Sequence, residues 1–456
     1  MNESLAIIVL AAGQGTRMRS SLPKVLHPLA GRALLQHVVD TATRLDPQEV
    51  VVVVGHGADQ VRDSVNGANL DWALQEQQLG TGHAVQAAMP KVQSDKVLVL
   101  YGDVPLIREE TLRRATEGIS AGRMNLVTVE LDDPQGYGRI VRDESGAIRK
   151  IVEQKDASDA ELAITEGNTG IVCAMREDLS RYLNALNNDN AQGEYYLTDC
   201  IEACIAEGGA VIGIQAQALS EVAGVNDKQQ LNELERSYQL EQAENLMKQG
   251  VTLADKHRFD LRGKLVVGKD VFIDFNCLFE GEVELGNNVR IGPNCVIVNS
   301  RIGDNVTIEP NCVIENARVE SGCSVGPFAR LRPEAVLHEN AKVGNFVEVK
   351  KSEVGSGSKV NHLSYIGDTR IGEHTNIGAG TITCNYDGVN KHQTTIGNDV
   401  FVGSNTALVA PVVIEDGATI GAGSTITRDA PAETLNLARA KQVTVETWKR
   451  PSKRKN

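Results

Sequence analysis

Several short stretches of this chain hold side chains that can grip phosphate or move a proton. Ala11-Ala12-Gly13-Gln14-Gly15-Thr16-Arg17-Met18 follows directly on the apolar run Leu5–Leu10. Glycines placed straight after a strand let backbone N–H groups curl around phosphate oxygens, and Arg17 adds positive charge. Leu22-Pro23-Lys24 comes soon after, and a lysine held near such a turn neutralises charge that develops on phosphoryl transfer. The run Val97–Tyr101 ends in Gly102-Asp103, which puts a carboxylate where ligands bind in open α/β sheets. Mg2+ takes one or two carboxylates and completes its shell with phosphates and waters, so Asp103 suits it. A plain turn and a capping aspartate are the structural alternatives at these positions.

The glycine turn is not Gly-x-Gly-x-x-Gly, because position 18 is methionine, and no Gly-Lys-Ser/Thr follows it. A dinucleotide fold is therefore disfavoured and the common P-loop excluded. Gln75, Gly80 and Thr81 lie in Gln75-Glu76-Gln77-Gln78-Leu79-Gly80-Thr81-Gly82, a loop of amide and backbone donors suited to a base edge. Glu153, Asn168 and the Gly136-Tyr137-Gly138 turn can hold a sugar. Far downstream, Val360-Asn361-His362-Leu363-Ser364-Tyr365 carries a histidine that titrates near working pH and can take a proton from an attacking amine. A lone histidine is commonly a solvated one. Here Asn385 and Tyr386 follow in an irregular segment, and Lys350 and Arg332 precede, which favours a functional histidine over a solvated one.

Two kinds of scaffold must position these groups. Residues 1–227 alternate short apolar runs (Leu5–Leu10, Val50–Val54, Val97–Tyr101) with helical patterns, which predicts a mostly parallel sheet covered by helices. From Val267 the chain counts in sixes: Val267, Ile273, Phe279, Leu285, Ile291 and Ile297. Smaller side chains follow four places later, at Val271, Cys277, Val283, Val289 and Cys295. Five-residue steps interrupt the count at Ile302 and beyond, and it runs on to Ile426. Eighteen residues then make one triangular coil, which buries its apolar face only against the next coil. From Ile377 to Ile396 the count carries seven extra residues, within Thr383–His392, which must bulge out of the prism. Between the halves, Leu231, Leu234, Tyr238, Ala243 and Leu246 predict a helical connector over 228–250, stopped by Gly250.

Bulk properties bound the rest. A net charge of −14 over 456 residues argues against a nucleic-acid binder, and the basic tail (Lys449, Arg450, Lys453, Arg454, Lys455) reads as a solvated end. No apolar run is long enough to cross a bilayer, and the N-terminus lacks a signal peptide's features. The chain is expected to be cytoplasmic, with its eight cysteines reduced. Cys277, Cys295 and Cys312 are expected to stack as inward filler rather than to bind metal.

Leu10-Ala11-Ala12-Gly13-x-Gly15-Thr16-Arg17-Met18, Leu22-Pro23-Lys24 and Tyr101-Gly102-Asp103, in that order, resemble the sugar-nucleotide pyrophosphorylase family. With the hexapeptide half attached, the whole chain resembles its bacterial bifunctional branch, which joins an N-acetylglucosamine-1-phosphate uridyltransferase to a glucosamine-1-phosphate N-acetyltransferase. The resemblance implies a Rossmann-like α/β nucleotidyltransferase domain (1–227), a helical linker (228–250) and a left-handed parallel β-helix (251–456). It implies that Leu10, Ala11, Ala12, Gly13, Gln75, Gly80 and Thr81 contact the uridine nucleotide. Arg17 and Lys24 would face the phosphates and act in catalysis, and Tyr101, Gly102, Gly138, Glu153 and Asn168 would surround nucleotide and sugar. Asp103 and Asn226 match the Mg2+ ligands. In the acetyl site His362 would be the general base, with Arg332, Lys350, Tyr365, Asn376 and Lys391 on the sugar phosphate. Ala379, Asn385, Tyr386, Ser404, Ala422 and Arg439 would line acetyl-CoA. UTP and acetyl-CoA are the implied co-substrates, glucosamine-1-phosphate and N-acetylglucosamine-1-phosphate the acceptors, and a homotrimer the assembly. A single-function pyrophosphorylase with a scaffolding β-helix is the alternative.

Overall fold

The computed structural model describes residues 3–67, 69–190 and 192–451. The chain divides into two compact units between Tyr238 and Gln239. Lys449 and Arg450 of the basic tail are exposed, while Lys453, Arg454 and Lys455 lie outside the described residues.

The first unit is built on one mixed sheet. Across it the strands run Ala210–Gln215, Arg123–Glu130, Glu166–Met175, Lys96–Tyr101, Leu5–Ala11, Glu49–Val54, Leu70–Leu74. Neighbours are parallel, except that Glu166–Met175 runs antiparallel to both of its flanking strands. The continuous apolar runs follow from burial on both faces. Ile7, Val9, Val50 and Val52 point into one core, and Ala6, Ile8, Val51 and Val53 into the other. After Leu5–Ala11 the chain builds outward through Glu49–Val54 and Leu70–Leu74, then returns to add Lys96–Tyr101 on the opposite side. The two motif-bearing strands therefore lie side by side at the reversal, with Leu10 paired to Tyr101. That reversal is the topological switch point, where a crevice opens beyond the strand ends.

The second unit is a parallel β-helix. One face is an eleven-stranded column from Thr252–Leu253 to Leu435–Asn436, and a seventeen-strand path wraps the other two. Strand pairing stacks Ile273, Ile291, Ile308, Val325, Val343, Val360, Ile377, Val402 and Ile420 directly above one another. Each is at most 1% exposed, as the six-residue count requires. Replacing one by alanine should cost about 2–5 kcal/mol, because a stacked coil cannot collapse into the gap. Val267, where the count begins, is only half-buried. Cys277, Cys295 and Cys312 stack inward as free thiols, and burial pushes the Cys277 thiol up to about 12. The connector is the helix Lys228–Lys248, with Leu234 in the first unit's packing and Ala243 and Leu246 in the second's.

Candidate functional site

In the first unit, Leu10, Ala11, Ala12, Gly13, Gln75, Gly80, Thr81, Tyr101, Lys24 and Asp103 line one cleft of about 560 Å³ at the switch point. Gly15 explains how the turn reaches Lys24. It adopts a left-handed φ of 62°, and a Cβ there would lie 2.6 Å from Lys24 Cβ. Lys24 Nζ donates to Asp103 Oδ2, and at 3.4 Å it also reaches Asn226 Oδ1. Arg17 Nη2 donates to the same Asn226 oxygen at 2.9 Å. Asn226 is brought in because the Val225 N–H donates to the Asp103 carbonyl at 2.9 Å. Two cations, one carboxylate and one amide oxygen, drawn from three distant segments, thus meet; Lys24 and Asp103 line the cleft, while Arg17 and Asn226 join them from outside its lining.

The oxygens of Asp103 and Asn226 both accept from one ammonium, so they already converge on a positive centre. That donor set fits Mg2+, which needs few protein oxygens when phosphates and waters supply the rest. No cluster of three or more His, Cys, Asp or Glu side chains among the described residues could hold a metal by itself.

Gly138, Glu153 and Asn168 do not line this cleft. They form an adjoining group in which the Asn168 N–H donates to the Gly138 carbonyl at 2.8 Å. Glu153 faces a second cavity of about 560 Å³ with Asp156, Tyr196, Thr198 and Asp199. Tyr101 joins the two regions. Burial, together with the Asp103 and Glu153 carboxylates, raises its phenol well above the ordinary value. A bulge between Asn168 and Val172 makes room for that ring. Its Gly170 has φ 79°, and a Cβ there would meet Tyr101 Oη at 2.6 Å. Burial also raises the Glu153 carboxyl, with Asp156 adding to the shift.

In the second unit, His362 Nδ1 lies 2.5 Å from Asn345 Oδ1, one coil before it. An amide oxygen only accepts, so Nδ1 carries the proton and Nε2 keeps its lone pair. His362 itself is exposed. Asn345, His362, Ala379 and Ser404 each offer a carbonyl to an N–H one coil on, from Leu363, Gly380, Asn405 and Gly423. With Ala422, they are five successive rungs of one edge. Arg439 Nη1 donates to the Ala422 carbonyl at 2.7 Å, closing the file. The spacing alone could have found this edge, since each rung stands two places after a stacked Val or Ile.

The extra residues do bulge. Tyr386 and Lys391 form an antiparallel bridge across a loop on which Val389 is 84% exposed. The Lys350 ammonium beside Lys391 pushes that lysine below its ordinary range, and such paired cations invite a dianion. Arg332 Nη1 pairs with Glu348 Oε1 at 2.8 Å. Tyr365 Oη and Asn385 Nδ2 both overhang Gly367, where a Cβ would lie 2.4 Å and 2.8 Å from them. Asn385 is buried and donates to Asp368 Oδ2 at 2.6 Å. Tyr386 is exposed, and its hydroxyl donates to the Gly388 carbonyl. Asn376 sits half-buried on the strand Asn376–Ile377. Sequence reasoning missed Asn345 and Glu348, the partners of His362 and Arg332.

Residues 7–198 match the MobA-like NTP transferase domain, 261–343 the GMPPB C-terminal domain, and 393–428 the bacterial transferase hexapeptide (six repeats). The chain is 55% identical over 450 residues to the bifunctional protein GlmU of Pseudomonas entomophila, covering 99% of each chain. It is 56% identical over 450 residues to that of Marinobacter nauticus, covering 98% of this chain and 99% of the other. Against that of Azoarcus sp. it is 54% identical over 452 residues, covering 99% of this chain and 100% of the other. Since both folds, the helix between them and the prism's insertion fall inside these end-to-end matches, the chain belongs to the family of the bifunctional protein GlmU.

Proposed function

We propose that the chain makes UDP-N-acetylglucosamine with two catalysts. Residues 251–456 transfer an acetyl group from acetyl-CoA to glucosamine-1-phosphate. Residues 1–227 then transfer uridylyl from UTP to the product and release pyrophosphate, and 228–250 link the two. The observation that carries the reading is that each unit gathers its own reactive groups: Lys24, Asp103, Arg17 and Asn226 in one, His362 with Asn345 in the other.

Uridylyl transfer needs no base, because the sugar phosphate, with a second pKa of about 6, is mostly a dianion at neutral pH. One of its oxygens attacks the α-phosphorus, and the bond to the bridging oxygen of pyrophosphate breaks. Lys24 and Arg17 neutralise charge on the pentavalent phosphorus, and Leu10–Gly13 hold the nucleotide in line. Asp103 and Asn226 would hold Mg2+, which when bound supplies further charge neutralisation on the phosphates. Tyr101 positions the sugar, with Gly102, Gly138, Glu153 and Asn168 around it.

In acetyl transfer, the amine nitrogen attacks the thioester carbonyl while His362 Nε2 accepts its proton. The C–N bond forms, the C–S bond breaks, and coenzyme A leaves as a thiol after regaining a proton. Arg332, Lys350 and Lys391 hold the sugar phosphate, with Tyr365 and Asn376 beside them. The edge of Ala379, Ser404, Ala422 and Arg439 offers backbone groups and a cation to acetyl-CoA, and Asn385 and Tyr386 frame its acyl end.

The assembly we infer is a threefold one. Phe328 and Phe346 stack with ring centroids 5.2 Å apart and are 49% and 55% exposed, and Leu363 next to His362 is 63% exposed. All three hold left-handed backbone angles, which cost bulky residues energy, so this ridge is best explained as a contact between copies. All eight cysteines are free, which suits a reducing cytoplasm. No helix among the described residues is long and apolar enough to cross a membrane.

The test is the full chain given acetyl-CoA and glucosamine-1-phosphate, then UTP and Mg2+, with thiol and pyrophosphate release followed separately. Pyrophosphate release from UTP when N-acetylglucosamine-1-phosphate is supplied as the acceptor, without any acetyl transfer to glucosamine-1-phosphate, would favour the single-function reading, in which the prism only scaffolds.

A further inference from the structure

Gln75, just beyond the strand Leu70–Leu74, is 3% exposed yet lines the nucleotide cleft. Its Nε2 donates to the Gly80 carbonyl at 3.0 Å and lies 3.1 Å from His83 Nδ1. A carbonyl can only accept, so the amide nitrogen, not the oxygen, belongs on that side. The second proton of the same nitrogen then points at His83, whose Nδ1 must accept it and whose ring proton sits on Nε2. With both donors engaged, Oε1 is the atom left to meet a ligand.

We propose that His83 is a specificity-determining positioning residue, locking the Gln75 amide so that only an acceptor faces the nucleotide base. The inference rests on the reading that UTP occupies this cleft. Uracil carries a proton on N3 and can donate to Gln75 Oε1. Cytosine has a lone pair there, which would face the amide oxygen unpaired. A buried site built to accept a hydrogen bond strongly rejects an analogue that cannot donate one. Turning the amide over to suit cytosine would set Oε1 against the Gly80 carbonyl and leave His83 Nδ1 without a donor. His83 stands behind Gln75 on the helix Thr81–Ala88, half-buried against Tyr195 with ring centroids 6.4 Å apart, so it acts through Gln75.

The experiment measures kcat/KM of the full chain for UTP and for CTP, with the thermal midpoint of the first unit as the control of folding. In His83→Leu the UTP-to-CTP ratio should fall about tenfold, chiefly through a raised KM for UTP. His83→Asn, whose Oδ1 can accept the same proton, should restore the ratio to within about threefold. An unchanged ratio in His83→Leu, or a His83→Asn that behaves like it, overturns the proposal. Should the leucine variant fail to fold, His83→Lys decides, because a donor in place of the acceptor must lower the ratio and an unchanged one refutes the lock. A wild-type chain that does not turn over UTP overturns the underlying reading, whatever the variants do.

Discussion

Lys24 Nζ and the Asp103 carboxylate hold one another across 79 residues of sequence, each with less than a fifth of its side chain exposed. The pair ties the glycine turn to the end of the neighbouring strand, so both segments enter the cleft at a set spacing. Asp103→Ala removes the one carboxylate of that group and leaves Lys24 leaning on Asn226 alone. Uridylyl transfer should fall about 10²–10³-fold, with a higher Mg2+ concentration needed for half-maximal rate. Acetyl transfer should be unchanged. A Mg2+ titration of pyrophosphate release checks this, and an unaltered Mg2+ requirement would contradict the role given to Asp103.

His362→Ala should reduce acetyl transfer by about 10²–10⁴-fold, the usual worth of a positioned proton acceptor, and leave uridylyl transfer intact. Asn345→Leu tests the tautomer separately. Without its oxygen the imidazole samples both tautomers, so the rate should fall on the order of tenfold while the KM for acetyl-CoA holds. Stopped-assay rates of coenzyme A release for both variants, beside pyrophosphate release, provide the comparison. Equal loss of both activities in His362→Ala would argue that the two units are not independent.

Much of this was legible because each scaffold has its own period. Runs such as Val50–Val54 mark strands buried on both faces, and the six-residue count located Ile291, Ile308 and their stacked neighbours. The count also located the insertion, because an excess in a solenoid has nowhere to go but outward. What the pattern could not show was contact between distant segments. Asn226 is brought to this group by a backbone bond from Val225 to Asp103 and by the bonds its amide oxygen accepts from Arg17 and Lys24, and no local spacing encodes that. Ala379 and Ala422 have no chemistry of their own, and what links them is their place as rungs of one edge whose register passes through a coil longer than its neighbours. The antiparallel course of Glu166–Met175 was likewise hidden, since a buried strand looks the same in either direction.

The insertion gives a prediction of its own. Deleting Tyr386–His392 removes seven residues and restores the ordinary coil length, since Thr394–Ile396 pairs in normal register with Thr369–Ile371. The prism should fold with a thermal midpoint close to that of the intact chain, because the residues removed are mostly exposed. Acetyl transfer should be lost, since Lys391 no longer stands beside Lys350. Calorimetry with coenzyme A release decides the matter, and retained acetylation would show that the loop is dispensable.

The second cavity of the first unit makes stability depend on pH. Burial first, then the Glu202 and Glu153 carboxylates, pushes the Asp199 carboxyl up to about 6 from its ordinary 3.8. The folded chain therefore holds this proton more tightly than the unfolded chain does. Its contribution is full below about pH 4 and is lost as pH rises through about 6, the reverse of an ordinary salt-bridged aspartate. Asp199→Asn keeps the shape and removes the charge. At pH 7.5 the variant should be more stable by on the order of 1 kcal/mol, a figure discounted for the solvent that reaches this half-buried group. At pH 4 the two should be nearly equal. Urea unfolding of both proteins at these pH values, followed by a probe in the first unit, checks the sign, and an equal gain at both would refute a charge effect.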